Sequence, residues 1–374
     1  MRLGVYVIYD FENKIEKYTS IVLKELRKYV DYIVVVCNFE HCNEGLDYIN
    51  DYCNEIYFRE NSGYDAGAYK DALVHYITWE KAFNFDELLL TNDSYFGPLY
   101  SFDDMFNKMN NCKCDYWGIT TSPKGEYDNI KYDTHIQSYF INFKKKTFHS
   151  KDFVKFWEDY VCKDNRFGTI VSYELELNKY LKERGYVGKS YADVQGFLPL
   201  TNTNPYINYA YELIKDIKIP IIKKAIFNAG NVYYANLCEA VSFINDNLMY
   251  DVKIINDYIE NKRDKGAYLP YYDFDIMEKF VNMHNKIYVY GYGNWAKMLS
   301  GYFKYRGWKI ESFLVTDIKN NEVAELFSKK QIEKNDGIII AQESKEVCNE
   351  IIKYINCKCD NDQILTPIYQ IIKK

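Results

Sequence analysis

Short apolar runs separated by polar and helical stretches fill the first ninety residues. The runs at 3–9, 32–37, 56–59 and 87–90 are rich in β-branched, aromatic and leucine residues, so they predict buried strands. Apolar side chains at helical spacing over 18–29 predict a helix between the first two strands. Strands that alternate with helices predict an α/β fold, a mostly parallel sheet flanked by helices.

The same patterns divide the rest of the chain. Strands are predicted over 117–120 and 137–143 and helices over 151–161 and 173–184, followed by mainly helical, polar sequence. A new strand, 286–290, opens a second α/β unit with a helix over 294–306, strands over 309–315 and 337–341, and a helix over 344–355. We therefore predict a catalytic domain, a helical extension and a small Rossmann-like α/β module, at 1–204, 205–283 and 284–374.

Charged residues follow three of the predicted strands, and Asp93 is the most informative of them. Asp10, Arg59 and Asp93 stand where strands end, the place where parallel sheets bind ligands. A carboxylate leaving the core is costly unless it is paired, and a divalent metal that carries a diphosphate is a common partner. Asp93, supported by Asn92, therefore predicts a Mg²⁺ or Mn²⁺ site. The alternative is that Asn-Asp-Ser only makes a turn or a helix cap.

A glycine-punctuated segment lies upstream of Asp93. In Asn61-x-Gly63-x-Asp65-x-Gly67-Ala68, the glycines let the backbone approach a ligand closely, and Asp65 adds a carboxylate. This predicts contacts from Asn61, Gly63 and Asp65 to the base or ribose of a nucleotide. The alternative is a loop that caps the following helix, with Asp65 at its N-terminus.

Two glutamates and one histidine are candidates for acid–base chemistry. Glu174 and Glu176 cannot share a helix face, so we expect one to point inward as a general base and the other to meet solvent. Two solvated glutamates on an amphipathic helix are the alternative. His135 precedes a strand and is a candidate metal, phosphate or acceptor contact, with a purely structural role as the alternative.

The second α/β unit carries a dinucleotide-like turn. Gly291-x-Gly293-x-x-Ala296 follows a strand and precedes a helix, and Asp317 ends the next strand, where an acid would contact a ribose. The unit is short for a complete dinucleotide-binding fold. Nucleotide binding and a structural or assembly role therefore both remain open.

Composition excludes several classes of function. A net charge of −6 and a pI of about 5.6 argue against a nucleic-acid partner. No run of about 18 apolar residues predicts a membrane span, and no leader-like segment begins the chain. The 10 cysteines lack the Cys-x-x-Cys spacing of zinc sites, which favours free thiols in a reducing compartment. We therefore expect a cytoplasmic protein, with peripheral membrane association left open.

Several of these motifs, in this order, resemble the rhamnan synthesis protein F family of bacterial polysaccharide glycosyltransferases. The resemblance covers about the first 280 residues and rests on four segments and on 220–227. The four segments are Glu60-Asn61-x-Gly63-x-Asp65-x-Gly67-Ala68, Leu90-Thr91-Asn92-Asp93-Ser94-Tyr95-Phe96-Gly97-Pro98, Asp115-Tyr116-Trp117-Gly118-Ile119-Thr120 and His135-Ile136-Gln137-Ser138-Tyr139-Phe140.

More distantly, the chain resembles the large group of inverting glycosyltransferases with the GT-A fold. In that group a Glu-Asp pair opens a helix that ends in Gly-Tyr, and the Asp is the catalytic base. Glu174 occupies that position here, with Leu177, Gly185 and Tyr186 in matching register, although Tyr173-Glu174 replaces Glu-Asp. The resemblance thus implies Glu174 as the base, with Glu176 as the second choice.

The resemblance also implies the substrates. It suggests transfer of a sugar such as L-rhamnose from a dTDP-rhamnose or UDP-sugar donor to a polyprenyl-linked or polysaccharide acceptor at the inner face of the plasma membrane. Asp10, Arg59, Asn61, Gly63, Asp65, Asn92 and His135 would then contact the donor. Two other classes remain: a non-catalytic scaffold of a glycan-assembly complex, and a nucleotide-dependent oxidoreductase that uses the C-terminal module.

Overall fold

The computed structural model describes most of the chain. The described residues are 1–127, 130–192, 194, 209–227, 237–262, 268–272, 274–317, 323–342 and 344–371. By packing, the chain divides into two compact units. The first comprises Met1–Val194, Ile214–Lys224 and Leu248–Ile254, and the second comprises Gln195–Leu213, Ala225–Asn247 and Ile255–Lys374.

Strands and helices alternate through the first unit. Its strands are β1 Arg2–Ile8, β2 Tyr32–Cys37, β3 Glu55–Phe58, β4 Glu87–Asn92, β5 Tyr95–Phe96, β6 Tyr116–Gly118, β7 Thr121–Ser122, β8 Gly125–Tyr127, β9 Ile130–Tyr132, β10 His135–Ile136, β11 Phe140–Phe143, β12 Gly188–Ser190 and β13 Ile222–Lys223. Its helices are α1 Lys17–Leu26, α2 Tyr64–Asp71, α3 Thr78–Ala82, α4 Asp103–Asn110, α5 Lys145–Phe148, α6 Lys151–Asp159, α7 Arg166–Thr169 and α8 Glu176–Glu183. Two π-helical turns, Ala72–Tyr76 and Ile170–Leu175, precede α3 and α8.

A seven-stranded sheet forms the centre of the first unit, in the order β12-β6-β11-β4-β1-β2-β3. Only β11 runs antiparallel to its neighbours within this sheet. The apolar runs of β1, β2 and β4 are buried in this sheet, and β1 is buried along its whole length, whereas β3 at the sheet edge is only partly buried. The predicted α/β class, with a mostly parallel sheet flanked by helices, is confirmed.

One predicted strand is shorter than its apolar run suggests. The prediction over 137–143 is confirmed only for β11, 140–143, because residues 137–139 form the connection between β10 and β11. The backbone N–H of Ser138 lies between them and donates to the Glu174 carboxylate at 2.7 Å instead of to a neighbouring strand. A side chain that captures a backbone donor interrupts strand pairing, and the sequence pattern does not contain this long-range contact.

The second unit contains a five-stranded parallel sheet. Its elements are α10 Leu237–Asn247, most of α11 Val252–Lys262, β14 Tyr268–Tyr271, α12 Phe274–Met283, β15 Ile287–Tyr290, α13 Asn294–Arg306, β16 Ser312–Val315, β17 Glu325–Leu326, β18 Gly337–Ile340, α14 Lys345–Ile355, β19 Ile364–Leu365 and β20 Ile368–Ile371. A further helix, α9 Ala210–Lys215, has residues assigned to each of the two units. The order β17-β16-β15-β18-β19 matches the first five strands of doubly wound dinucleotide-binding folds. Two of these strands, β17 and β19, were not predicted because each has only two residues.

The described residues carry two further features relevant to location. None of their helices has the length and hydropathy needed to cross a bilayer. The cysteines whose side chains the structure describes are free thiols.

We expect Phe143 to test the core of the first unit. Its fully buried ring lies 4.8 Å from Phe153 and 6.0 Å from Tyr116, measured between ring centroids. Phe143→Ala should lower the free energy of unfolding by about 3–5 kcal/mol, because it removes buried apolar contacts and leaves a cavity. The matched control is Phe11→Ala, since the Phe11 side chain is 67% exposed. Calorimetry that finds equal losses in both variants would contradict this placement of the core.

Candidate functional site

The carboxyl ends of β1 and β4 lie at one edge of the first sheet. The two strands pair in parallel, with Val7 opposite Asn92. Asp10 follows β1, and its buried carboxylate accepts a hydrogen bond from the Glu12 backbone at 2.8 Å, which closes the turn. Asp10 and Asp93 therefore stand where the strand pattern predicts, after two neighbouring strands at the same edge of the sheet.

Asp93 is held by a lysine that is distant in sequence. Its oxygen Oδ2 accepts hydrogen bonds from Lys224 Nζ at 3.2 Å and from the Tyr18 hydroxyl at 3.3 Å. Lys224 Nζ also donates to Tyr18 at 2.5 Å and lies 3.8 Å from the Tyr18 ring centroid. The charge of Asp93 is thus offset by a buried ammonium group.

Asn92 connects Asp93 to Asp65. Its amide donates to Asp65 Oδ2 at 2.5 Å, while its oxygen accepts from the Ser94 backbone at 3.1 Å. Asp65 lies in the first turn of α2, where it makes no cap hydrogen bond, since Gly63 is the N-cap residue. The Asn-Asp-Ser segment therefore does make a turn, and the Asn92 side chain also connects that turn to the Asp65 carboxylate.

Two opposing effects set the ionisation of Asp65. Burial, and then the nearby Asp93 carboxylate, raise the pKa of Asp65 to about 6, although the hydrogen bond from Asn92 and the charges of Arg166 and Lys223 lower it. Asp65 therefore changes protonation state close to neutral pH, which is unusual for an aspartate.

Arg59 fixes the loop that leads into α2. Its guanidinium donates to Asp71 at 2.7 Å, to Asn38 at 2.6 Å and to the Ser62 carbonyl at 2.8 Å. These contacts show Arg59 holding the loop, and a donor contact from it stays a prediction. Gly63 has a φ of +74°, and an added Cβ would lie 2.7 Å from Cys162, so the loop requires glycine there.

Asn61 of this loop has a side-chain oxygen with unused hydrogen-bonding capacity. The oxygen is buried and has no hydrogen-bond partner among the described residues. A buried oxygen without a donor is costly, and such groups in native structures commonly serve a ligand or an ordered water. The placement of Asn61 is compatible with the nucleotide contact predicted from the sequence.

The π-helical turn Ile170–Leu175 carries Glu174. Tyr173 is buried among aromatic side chains, with its ring centroid 5.4 Å from that of Trp157, while the Glu174 side chain is 17% exposed and contacts His135. Glu176, two residues later, is exposed. One glutamate thus faces inward and one faces solvent, as expected, and the π turn that separates them is of a kind often found at functional sites.

Glu174 and His135 form an ion pair. Oε1 of Glu174 lies 3.2 Å from His135 Nε2, and Oε2 accepts from the Ser138 backbone at 2.7 Å and from the Ser138 hydroxyl. Burial opposes ionisation of Glu174, but His135 and Ser138 outweigh it and lower its pKa to about 2. For His135, burial lowers the pKa, yet the Glu174 contact prevails and the net shift is upward. Glu174 is therefore a carboxylate throughout the physiological pH range.

Asn178 positions His135, and the sequence analysis missed it. Its amide donates to the Ile136 carbonyl and accepts from the Ile136 N–H, both at 3.0 Å, and also donates to the Glu174 carbonyl at 2.8 Å. The side chain thus replaces a strand partner for β10 and attaches it to α8. The sequence signal for this role was the spacing of four residues, about one helical turn, between Glu174 and Asn178.

His135 and Glu176 also line an open cleft of about 1000 Å³. Its walls are the β8–β9 hairpin and the exposed side of α8, and its other lining residues include Tyr132, Val171 and Lys182. The cleft therefore lies beside the His135–Glu174 pair and is large enough for a sugar unit.

Lys223, which the sequence did not point to, lies close to the carboxylates of Asp65 and Glu174. Its ammonium stands 4.3 Å from the Tyr139 ring centroid and interacts electrostatically with Glu174 and Asp65. Burial is the largest cause that lowers its pKa, to about 8. Together, Asp65, Asn92, Asp93, Glu174 and His135 from the predicted set lie in one neighbourhood with Lys223 and Lys224.

The residues around Asp93 do not fit the metal expected from the sequence. Within the described residues, no three His, Cys, Asp or Glu side chains are placed to hold a metal ion. Asp93 Oδ2 already receives Lys224, and Asp65 Oδ2 already receives Asn92. A dication at Asp93 would lie beside the Lys224 ammonium, and like charges repel.

The C-terminal candidates lie at one edge of the second sheet. Gly291 follows β15 with a φ of +114°, and Gly293 is the N-cap of α13. Asp317 is exposed and follows β16, which pairs in parallel with β15. The strand–turn–helix geometry predicted for these residues is present, and ligand binding by them stays a prediction.

Comparison with curated proteins finds partial relatives. The uncharacterized protein y4gN of Sinorhizobium fredii is 24% identical over 183 residues, which cover 47% of this chain and 46% of that protein. Virulence protein VirA of Vibrio anguillarum is 28% identical over 135 residues, which cover 36% of this chain and 40% of that protein. The matches thus span less than half the length of these relatives.

Solved structures with some similarity include nucleotide-handling transferases. A 4-diphosphocytidyl-2C-methyl-D-erythritol synthase has a TM-score of 0.34 at 13% identity and covers 58% of this chain and 100% of that one. A putative nucleotide-diphospho-sugar transferase from Desulfovibrio desulfuricans has a TM-score of 0.31 at 13% identity, over 65% of this chain and 96% of that one. Scores this low carry no functional information.

The sequence model described as "Rhamnan synthesis protein F" matches residues 33–347, which is well over half of the chain. The match confirms the resemblance seen in the motifs and extends beyond the expected limit near residue 280 into the second α/β unit. The chain belongs to the rhamnan synthesis protein F family.

Proposed function

We propose that this chain is a glycosyltransferase that moves a sugar from a nucleoside-diphosphate donor to a growing cell-surface polysaccharide, with inversion at the anomeric carbon. The observation that carries this proposal is the convergence of Asp65, Asp93, Glu174 and Lys223 at the carboxyl edge of the first sheet. Family membership supports it. The first candidate donor is dTDP-L-rhamnose, and a UDP-sugar is the second.

The donor side of the proposed site is the Asn61–Asp65 loop with Asn92. The unsatisfied Asn61 oxygen accepts an N–H or hydroxyl of the donor, and Asp65, poised near its pKa, accepts a sugar or ribose hydroxyl. Asp10 lies at the same sheet edge and is assigned to the nucleoside. Burial around Asp65 strengthens each of these hydrogen bonds relative to water.

The acceptor side is His135 and Glu174. The acceptor oxygen attacks the anomeric carbon, the bond to the diphosphate oxygen breaks, and the acceptor proton passes to Glu174. A carboxylate whose pKa is about 2 is a weak base. It suffices here because the hydroxyl proton of the attacking acceptor oxygen becomes strongly acidic as the new bond to carbon forms. Glu176, which lines the adjoining cleft, is the second choice.

A lipid-linked or polysaccharide acceptor would bring the chain to the inner face of the plasma membrane, where we assign it as a peripheral protein. Mg²⁺ or Mn²⁺, expected from the sequence, has no described donor set here, so no step of this mechanism uses a metal.

Turnover of nucleotide sugars tests the proposal. Purified chain is incubated with dTDP-rhamnose, UDP-sugars or GDP-sugars, with and without a polyprenyl-linked acceptor, and release of nucleoside diphosphate is measured. Glu174→Gln should lower kcat by about 10²–10⁴-fold, because it removes the proton acceptor and keeps the shape. Glu176→Gln tests the second choice for the base, and it should retain most activity, because the Glu176 side chain is 49% exposed.

The same screen separates the proposal from a scaffold role. If no donor turns over but one binds, as seen by a shift in thermal unfolding, the chain is a nucleotide-sugar-binding scaffold. Equal losses in the Glu174 and Glu176 variants would remove Glu174 from the role of base. Bound nicotinamide cofactor in the purified chain would instead favour an oxidoreductase centred on Gly291 and Gly293.

The His135–Glu174 pair should make stability depend on pH. The lowered pKa of Glu174 contributes stability that is full above pH 4.5 and is lost as the pH falls towards 2. The raised pKa of His135 contributes stability that is full below pH 6.5 and is lost as the pH rises through that raised pKa. The difference in unfolding free energy between wild type and His135→Gln should therefore be largest between pH 4.5 and 6.5. Urea titrations from pH 4 to 9 measure it, and a flat difference would refute the ion pair.

A further inference from the structure

Two consecutive lysines flank the Asn92–Asp93 corner. Lys223 and Lys224 stand at the end of β13, which pairs antiparallel with β5, so that Lys223 is opposite Tyr95. The Lys224 N–H donates to the Ser94 carbonyl at 2.9 Å. Lys224 begins the short 3-10 helix that follows β13. The two ammonium groups have different neighbours: that of Lys223 lies 4.3 Å from the Tyr139 ring centroid, and that of Lys224 lies 3.8 Å from the Tyr18 ring centroid.

Lys224 provides the positive charge next to Asp93. Its side chain is 10% exposed and its ammonium binds both Asp93 and Tyr18. In a metal-dependent transferase, a dication held by the strand-end carboxylate would bring positive charge to the diphosphate. In this chain an ammonium group occupies the corresponding place beside the carboxylate.

The ammonium group of Lys223 has no bonded counterion among the described residues. Its Nζ makes no hydrogen bond and no ion pair there, and it contacts the Tyr139 ring. The charged groups that face it come from three elements: Asp65 of α2, Arg166 of α7 and Glu174 of the π turn. A half-buried ammonium without a bonded counterion is a receptor for an anionic ligand.

We propose that Lys223 and Lys224 form the diphosphate-binding site of this chain and replace a divalent metal as the charge that stabilises the leaving nucleoside diphosphate. This inference rests on the proposed function. When the bond between the anomeric carbon and the β-phosphate oxygen breaks, its electron pair stays on that oxygen. The two ammonium groups offset the added charge and keep their own protons. Lysine suits this task because its ammonium is a compact point charge for phosphate.

Calorimetric titration with dTDP, UDP and GDP tests the site without requiring turnover. We expect binding in EDTA with a Kd close to that in Mg²⁺ or Mn²⁺. Lys223→Gln and Lys224→Gln should each weaken binding by about tenfold or more, as expected for a lost charge-assisted hydrogen bond. Lys155→Gln is the matched control for net charge, because the Lys155 side chain is 70% exposed.

Proton uptake provides an independent test of Lys223. Since its pKa is lowered to about 8, diphosphate binding near pH 8 should draw a proton onto it. Affinity should then fall by up to about tenfold per pH unit above that value. Lys223→Arg stays charged throughout, so it should bind without proton uptake and without this pH dependence. Titrations in two buffers of different ionisation enthalpy, from pH 7 to 9.5, measure the uptake.

The possible results separate this inference from the proposed function. Binding that EDTA abolishes and Mg²⁺ restores would overturn the lysine site while leaving the transferase intact, as would wild-type affinity in the Lys223 variants. No binding of any nucleoside diphosphate in either condition would instead defeat the proposed function itself. If Lys224→Gln unfolds because Asp93 loses its partner, Lys224→Arg and the two Lys223 variants still decide the outcome.

Discussion

Carboxylates at the end of a buried apolar sheet require compensating charges, and this requirement organises the first unit. β1 is buried over its full length, and its parallel partner β4 ends in buried Asn92 followed by Asp93. A charge placed there loses much of its hydration. The fold supplies Lys224 to Asp93 and His135 to Glu174, so each carboxylate has a cationic partner close to the core. The same demand makes this edge of the sheet polar enough to bind a ligand.

The compensating groups come from distant parts of the sequence, which explains what could be predicted. Short apolar runs predict β1, β2 and β4 because burial on both faces leaves a continuous hydrophobic pattern. The position of Asp93 follows from the end of such a run. Lys224 is 131 residues from Asp93, and Asn178 is 42 residues from Ile136, so no local pattern links the members of either pair. The resemblance included 220–227 as a segment, yet it assigned no role to its lysines.

The Glu174 region shows a second limit of sequence patterns. Apolar spacing predicts a helix over 173–184, and α8 confirms it from residue 176 onwards. Residues 173–175 belong to a π turn, in which one extra residue per turn changes the direction of the side chains. Periodicity indicates that Glu174 and Glu176 diverge, but it does not tell which one points inward. That choice depends on the packing of Tyr173 against Trp157, a contact between two helical segments.

The charge balance of the groups around Asp93 and Glu174 determines which charge is left to bind a ligand. Asp93 is offset by Lys224, and Glu174 is offset by His135. Asp65 is close to its pKa at neutral pH, because burial and Asp93 both disfavour its charged form. Arg166 is exposed, so water screens its charge. Among the described residues of this neighbourhood, Lys223 alone combines partial burial with an ammonium that has no bonded partner. A diphosphate is the part of a nucleotide sugar that matches such a group, so the proposed donor would lie with its phosphates beside Lys223.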